Sequence, residues 1–237
     1  MGSLYIVSTP IGNMEDLTLR ALRVLREVDI IAAEDTRHTR QLLSHFEIHG
    51  KQLVSYHAFN EHGKVADLVG QVKNGSSIAL VSDAGTPSVA DPGFLLVRTA
   101  VEQGIEPVVI PGVSALTFAV TASALPVDKF AFRAFAPVKP GQKDRFLREM
   151  IDSGMTNFFF ESPFRIGKTL SAIAQIAPDC RLALIREATK FHEEIIRGTA
   201  AELAALKREW KGEFVIGIYS GAAKGGKNIP ETEESSD

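Results

Sequence analysis

The chain has 237 residues, 45% of them hydrophobic, a net charge of −3 and a single cysteine, Cys180. That length suits one large or two small domains, and no apolar run reaches the ~20 residues of a membrane-spanning helix. One cysteine excludes an internal disulfide and any cysteine-built metal site, and the weakly acidic balance carries no global sign of nucleic-acid binding, so an RNA partner would need a local basic surface. The start, Met1-Gly2-Ser3-Leu4, has no basic segment, so no secretory leader and no membrane partner are expected, and the cytoplasm is the default compartment.

In chain order, strand-like apolar runs fall at about 4–8, 29–33, 53–56, 77–82 and 106–110. Helical patterns fall between and after them, at about 17–27, 36–46, 61–74, 92–103 and 114–124. Such alternation predicts βα units around a mostly parallel sheet. After Pro126 the pattern changes: Phe130–Phe135, Asn157–Phe160, Arg181–Arg186, Glu194–Arg197 and Phe214–Tyr219 read as strands, with helices at about 143–153, 163–177 and 199–209. The short loop between the runs at 181–186 and 194–197 predicts a hairpin, hence a mixed sheet. The fold class is α/β, with an amino-terminal domain over 1–120 and a carboxyl-terminal one over 121–221. Residues 222–237 are nearly free of apolar side chains and are expected to be a disordered acidic tail.

Three strand-to-helix loops carry the functional signal. Ser8-Thr9-Pro10-Ile11-Gly12-Asn13 follows Leu4–Val7, Ser82 to Gly93 (S-D-A-G-T-P-S-V-A-D-P-G) follows Ile78–Val81, and Pro111-Gly112-Val113-Ser114-Ala115 follows Val108–Ile110. Loops of this kind lie at the carboxyl edge of an open α/β sheet, where small ligands bind. Two acids, two glycines and two prolines in twelve residues exceed what a plain connection needs, and Asp91-Pro92 reads as the N-cap and first residue of the next helix. The absence of G-x-G-x-x-G weakens a nicotinamide-cofactor reading, and the absence of a P-loop lysine pattern argues against a nucleoside triphosphatase.

S-T-P-I-G-N, Glu34-Asp35-Thr36-Arg37-His38-Thr39, D-A-G-T-P-x-x-x-D-P-G and P-G-x-S-A together resemble the amino-terminal half of the tetrapyrrole methylase superfamily. The likeness continues through Phe135–Lys139, Phe159–Arg165, Arg186–Lys190, Glu193-Glu194, Arg197–Thr199 and Gly212–Phe214, covering roughly residues 3 to 221. Taken in order, the motifs look like one branch, the RsmI-type 16S rRNA (cytidine-2′-O)-methyltransferases. The chain departs from that pattern at Val113, Val138 and Phe164, where the family usually has Pro, Arg and His. The resemblance implies two α/β domains of the tetrapyrrole methylase type with S-adenosylmethionine in the cleft between them. It implies methylation of a cytidine 2′-hydroxyl in 16S rRNA at the decoding site of the small ribosomal subunit, by a homodimer. Other readings are a tetrapyrrole methyltransferase (of uroporphyrinogen or a cobalamin precursor), or a non-catalytic ribosome-assembly factor that keeps the fold.

By the same resemblance, Pro10, Gly12, Asp83, Ala84, Gly85, Thr86, Val89, Ser114 and Ala115 line the cofactor from one domain. Phe160, Glu161, Ser162, Ala188, Gly212, Glu213 and Phe214 line it from the other. Methyl transfer to a ribose hydroxyl needs a held sulfonium, an in-line hydroxyl and a route for one proton; no metal is expected. Candidates for the base are Glu161, Asp35 and Glu187, and the catalytic pair named here is Glu161 and Asp35. Asp35 reads equally as a helix N-cap. Phosphate contacts are expected from Arg37, Lys139, Lys143, Arg145, Arg165 and Lys190; residues 133–150 hold five bases against two acids, a local net of +3.

Overall fold

A computed structural model of the protein describes residues 2–221. The expected tail at 222–237 lies outside the described residues. Two compact units result: residues up to Phe118 together with Ala188–Phe191, and Ala119–Glu187 with the chain from His192 on. The division thus falls inside a helix near the expected boundary at 120, and one later loop groups with the first unit. Among the described residues no helix is long and apolar enough to cross a membrane.

The first unit is a five-stranded sheet of β1 (Leu4–Val7), β2 (Ile30–Ala33), β3 (Gln52–Ser55), β4 (Ile78–Val81) and β5 (Val108–Ile110), ordered β3-β2-β4-β1-β5. All its pairings are parallel, as the βα alternation requires. Helices α1 (Leu19–Glu27) and α2 (Thr36–His45) cover one face, and α3 (Glu61–Lys73) and α4 (Phe94–Glu102) the other. The period of two assigns the strand residues: Leu4, Ile6, Ala32, Ile78 and Leu80 pack with α3 and α4, while Val7, Ile31, Ala33, Ala79 and Val81 pack with α1 and α2. The chain first steps from β1 outward to β3, then returns through β4 to β5. Right-handed crossovers put the helices of those two runs on opposite faces. The loops after β4 and β1 therefore leave neighbouring strands at the point where the winding reverses, the crevice that open α/β sheets use for ligands.

The second unit pairs β6 (Phe130–Phe135) with β7 (Thr156–Glu161) in parallel, and continues antiparallel through β10 (Phe214–Tyr219), β8 (Arg181–Arg186) and β9 (Glu194–Thr199). This is the expected mixed sheet with its β8–β9 hairpin. Helices α6 (Pro140–Asp152), α7 (Ile166–Ile176) and α8 (Ala200–Ala204) bury one face of it, with Leu147, Leu170, Ile173 and Leu203 against Phe159, Leu182, Leu184 and Ile216. Helix α5 (Ala115–Ala122) carries the division between the units.

Two helix readings need correction. Asp91 and Pro92 do not start α4, which begins at Phe94 with Gly93 as its N-cap at φ +143°. A Cβ at Gly93 would lie 2.5 Å from Ser88 Oγ, so packing against the loop places the glycine there. The helix expected at 199–209 stops at Ala204. Beyond it Arg208 forks onto the Glu194 carboxylate at 2.8 and 2.7 Å and lies over the Trp210 ring, tertiary contacts that oppose continued helix.

Candidate functional site

The three loops of the first unit are joined. Thr9 and Gly85 exchange both backbone hydrogen bonds, at 2.8 and 3.1 Å, so the loops after β1 and β4 form a short antiparallel bridge. Ser8 Oγ lies 2.9 Å from Thr86 Oγ1, and a Cβ on Gly112 would be 2.8 Å from Ser8 Cβ, which brings in the loop after β5. Gly85 is buried at φ +82°, a conformation costly for any residue with a Cβ. Its own N–H and C=O are spent on Thr9. Among the described residues, the flanking amides of Ala84 and Thr86 have no hydrogen-bond acceptor, and Ala84 is exposed. Pro10, next to the bridge in sequence, is buried, Val89 is about one-third exposed, and Ser114 and Ala115 lead into α5. Gly12 has a separate duty: a Cβ there would sit 2.3 Å from Lys190 Cγ, so the glycine lets the Lys190 stem lie over the backbone.

Asp83, an expected member of the site, is joined at this loop by two carboxylates that were not expected there, Glu34 and Asp91. The Asp83 carboxylate accepts from the Asp35 N–H at 2.9 Å, tying the ends of β2 and β4 together. Burial, then the Glu34 charge, pushes the Asp91 carboxyl up to about 6, against the opposing hydrogen bond from Ser82. Burial and Asp83 raise Glu34 as well. For Glu34 and Asp91 the only signal in the sequence is that acids follow two apolar runs, and those runs prove to be neighbouring strands. Asp35 is different. It is the N-cap of α2, accepting from the Arg37 N–H at 2.8 Å, and its carboxylate is clamped by the Arg37 guanidinium at 3.1 and 2.7 Å. Those bonds hold it well below the usual carboxylate range, which unsuits it as a base. Arg37 is correspondingly already paired.

Glu161 requires the largest correction. Its carboxylate is fully buried instead of emerging at an open edge. It is bonded to Lys143 Nζ at 3.0 Å, Arg165 at 2.8 Å, Thr169 Oγ1 at 2.6 Å and the Ser162 N–H at 2.8 Å. Four donors occupy its two oxygens, so no acceptor position is left to face a substrate hydroxyl. The same network removes Lys143 and Arg165 from the free cations; Arg165 also donates to the Ala136 carbonyl at 3.3 Å. Phe214 is likewise a core residue, edge-on to Trp210 at 5.7 Å, in a strand paired on both sides. Gly212, at φ +95°, faces the Glu187 side chain, which accepts from the Glu213 N–H at 2.8 Å. Ser162 Oγ accepts from the Phe164 N–H, and Ala188 groups with the first unit. Lys139, at the start of α6, and Arg145 are exposed and have no salt-bridge partner among the described residues. Among the described residues no cluster of His, Cys, Asp and Glu has the makings of a metal site.

The sequence pattern of the tetrapyrrole (corrin/porphyrin) methylases matches residues 3–204. The chain belongs to the tetrapyrrole methylase family. Two similar relatives are both named ribosomal RNA small subunit methyltransferase I. The one from Halalkalibacterium halodurans is 44% identical, covering 94% of this chain and 78% of the relative. The one from Xylella fastidiosa is 46% identical, covering 94% and 82%. The uroporphyrin-III-C-methyltransferase structure from Thermus thermophilus is 21% identical with a TM-score of 0.62, over 93% of this chain and 95% of that one, and shares the fold. Tetrapyrrole methylases take S-adenosylmethionine as methyl donor. The first-unit loops fit that donor: unsatisfied amides flank a Cβ-free turn for its polar ends, and acids stand nearby for a cationic sulfonium.

Proposed function

We propose that this protein transfers a methyl group from S-adenosylmethionine to the 2′-hydroxyl of a cytidine in 16S rRNA, at the decoding site of the small ribosomal subunit. In this reading it works in the cytoplasm as a homodimer. The observation that carries the reading is identity of 44–46% across nearly the whole chain to proteins named as small-subunit rRNA methyltransferases. The bridged loops support it, because they offer a preorganised cofactor cradle.

The bound donor supplies an activated methyl on its sulfonium. The chain's part is placement. Gly85 and its bridge to Thr9 fix the turn that carries the amides of Ala84 and Thr86, and the Ser8–Thr86 hydroxyl pair joins the neighbouring loops. Holding two reactants in line is worth ~7–11 kcal/mol, enough to make positioning the main catalytic device. Glu161 serves this indirectly, by locking the end of β7 to α6 and α7. Lys139 and Arg145 offer positive charge for phosphates.

The test is incubation of unmethylated small subunits with the protein and labelled S-adenosylmethionine, followed by nucleoside mass spectrometry. A 2′-O-methylcytidine signal that depends on the protein is expected. Transfer to a base, to another nucleoside, or to no RNA at all would overturn the reading.

A further inference from the structure

Strand β6 reads Phe130-Ala131-Phe132-Arg133-Ala134-Phe135. In a regular strand, residues three apart point to opposite faces. Here they do not. Phe132 pairs with Phe158 while Phe135 pairs with Phe160, so the register shifts by one residue between them. Ala134 absorbs the extra residue with φ +52°, in the left-handed region that a residue with a Cβ occupies only at a cost. The bulge turns Phe135 onto the face that Phe132 already occupies. Both rings then meet the Phe160 ring, at centroid distances of 5.0 and 5.1 Å. This face is opposite the one covered by α6 and α7, where Phe159 packs on Phe146 at 5.5 Å.

The result is a cluster of three aromatic rings that is anchored but not closed over. Phe135 is 58% exposed, Val138 beyond it is 77% exposed, and Lys139 follows at the start of α6. Core packing does not explain a strained bulge that carries a phenylalanine out to solvent. Bulges that re-aim one side chain concentrate beside functional sites. An exposed ring tilted against Phe160, which Phe132 in turn supports edge-on, with Lys139 four residues further along the chain, suits a flat apolar ligand attached to a polyanion. That is the chemistry of an unstacked nucleobase in RNA.

We propose that Phe132, Phe135 and Phe160 form a stacking platform for a nucleobase of the RNA substrate, with Phe135 as the contacting ring. This rests on the RNA-methyltransferase reading above and adds a substrate-binding surface to it. An aromatic ring supports a base by dispersion and by its π-face, so the platform accepts any base that the fold of the RNA leaves splayed out. Which base reaches it is then set by the fold of the RNA and by where the phosphates are held, and the platform holds that base unstacked.

The test compares Phe135→Ala, Phe135→Leu and Phe135→Tyr with the parent, using unmethylated small subunits and their extracted 16S rRNA as separate substrates. Loss of one base–aromatic stack is expected to raise the RNA KM by about 5- to 150-fold for the Ala and Leu variants. The Tyr variant should stay close to the parent. S-adenosylmethionine affinity and the salt dependence of RNA binding should be unchanged in all three, since no charge is altered. An Ala variant with the parent's KM on both substrates would overturn the platform alone. A Leu variant that works as well as the parent where Ala fails would also overturn it, since an apolar protein contact would then be the occupant. A parent that labels no RNA would overturn the RNA reading, and the platform with it.

Discussion

Replacing Glu161 by Gln should unfold the second unit early and leave any direct chemistry untouched. The Glu161 side chain is fully buried, and its cationic partners Lys143 and Arg165 are only 13% and 23% exposed. Gln keeps the shape and one acceptor oxygen, but it turns an N–H group toward cations and leaves two positive charges poorly compensated. Removing one member of a buried ion pair costs about 3–5 kcal/mol, and the partners' slight access to water places this case near 3. For a protein of this size that corresponds to a drop in Tm of roughly 6–12 °C. Trp210, the one tryptophan, packs edge-on to Phe214 in the same unit, so its emission follows the transition directly. Lys143→Ala should also destabilise, and the double variant Lys143→Ala with Glu161→Gln should lose less than the sum of the two. A Glu161→Gln protein with the parent's Tm and ~10²-fold slower methyl transfer would refute this reasoning and restore the carboxylate as a general base.

Gly85→Val should abolish S-adenosylmethionine binding, measured by calorimetry. The residue sits at φ +82°, and its Cβ would lie 3.4 Å from Ile11 Cγ2. A backbone strain of about 1–2 kcal/mol should lower Tm only modestly, and parental affinity would make the loop purely structural. Asp91→Asn should change stability with pH. The folded carboxyl is raised from 3.8 to about 6, so its contribution is full below pH 4 and is lost as pH rises through 6. At pH 8 the Asn variant should therefore be the more stable by about 1–2 kcal/mol, a figure reduced for partial solvent screening, with no gain at pH 4. Equal stability increments at both pH values would show that ionisation of Asp91 is not the cause. Binding of S-adenosylmethionine should be the same with and without excess chelator, and weaker binding on chelation would point to a metal.

The local order of residues determined much of this molecule. Alternating apolar runs and turn residues are read between near neighbours, so the βα units, the β8–β9 hairpin and the three glycine- and proline-bearing loops were legible. Even the meeting of those loops follows, because they leave neighbouring strands at one sheet edge. The fate of individual charges was not legible. Glu161 ends a strand before a Ser-Pro turn, a position equally suited to an open carboxylate. Its burial depends on Lys143 from α6 and Thr169 from α7, helices that only the packed sheet brings to one point. The same holds for Asp91, whose basicity is set chiefly by burial and by Glu34 after another strand. Phe135 shows the limit most sharply. Its side was decided by one left-handed alanine, and no propensity marks Ala134 for that conformation. A period-2 reading puts Phe132 and Phe135 on opposite faces, and the tertiary register alone puts them on one.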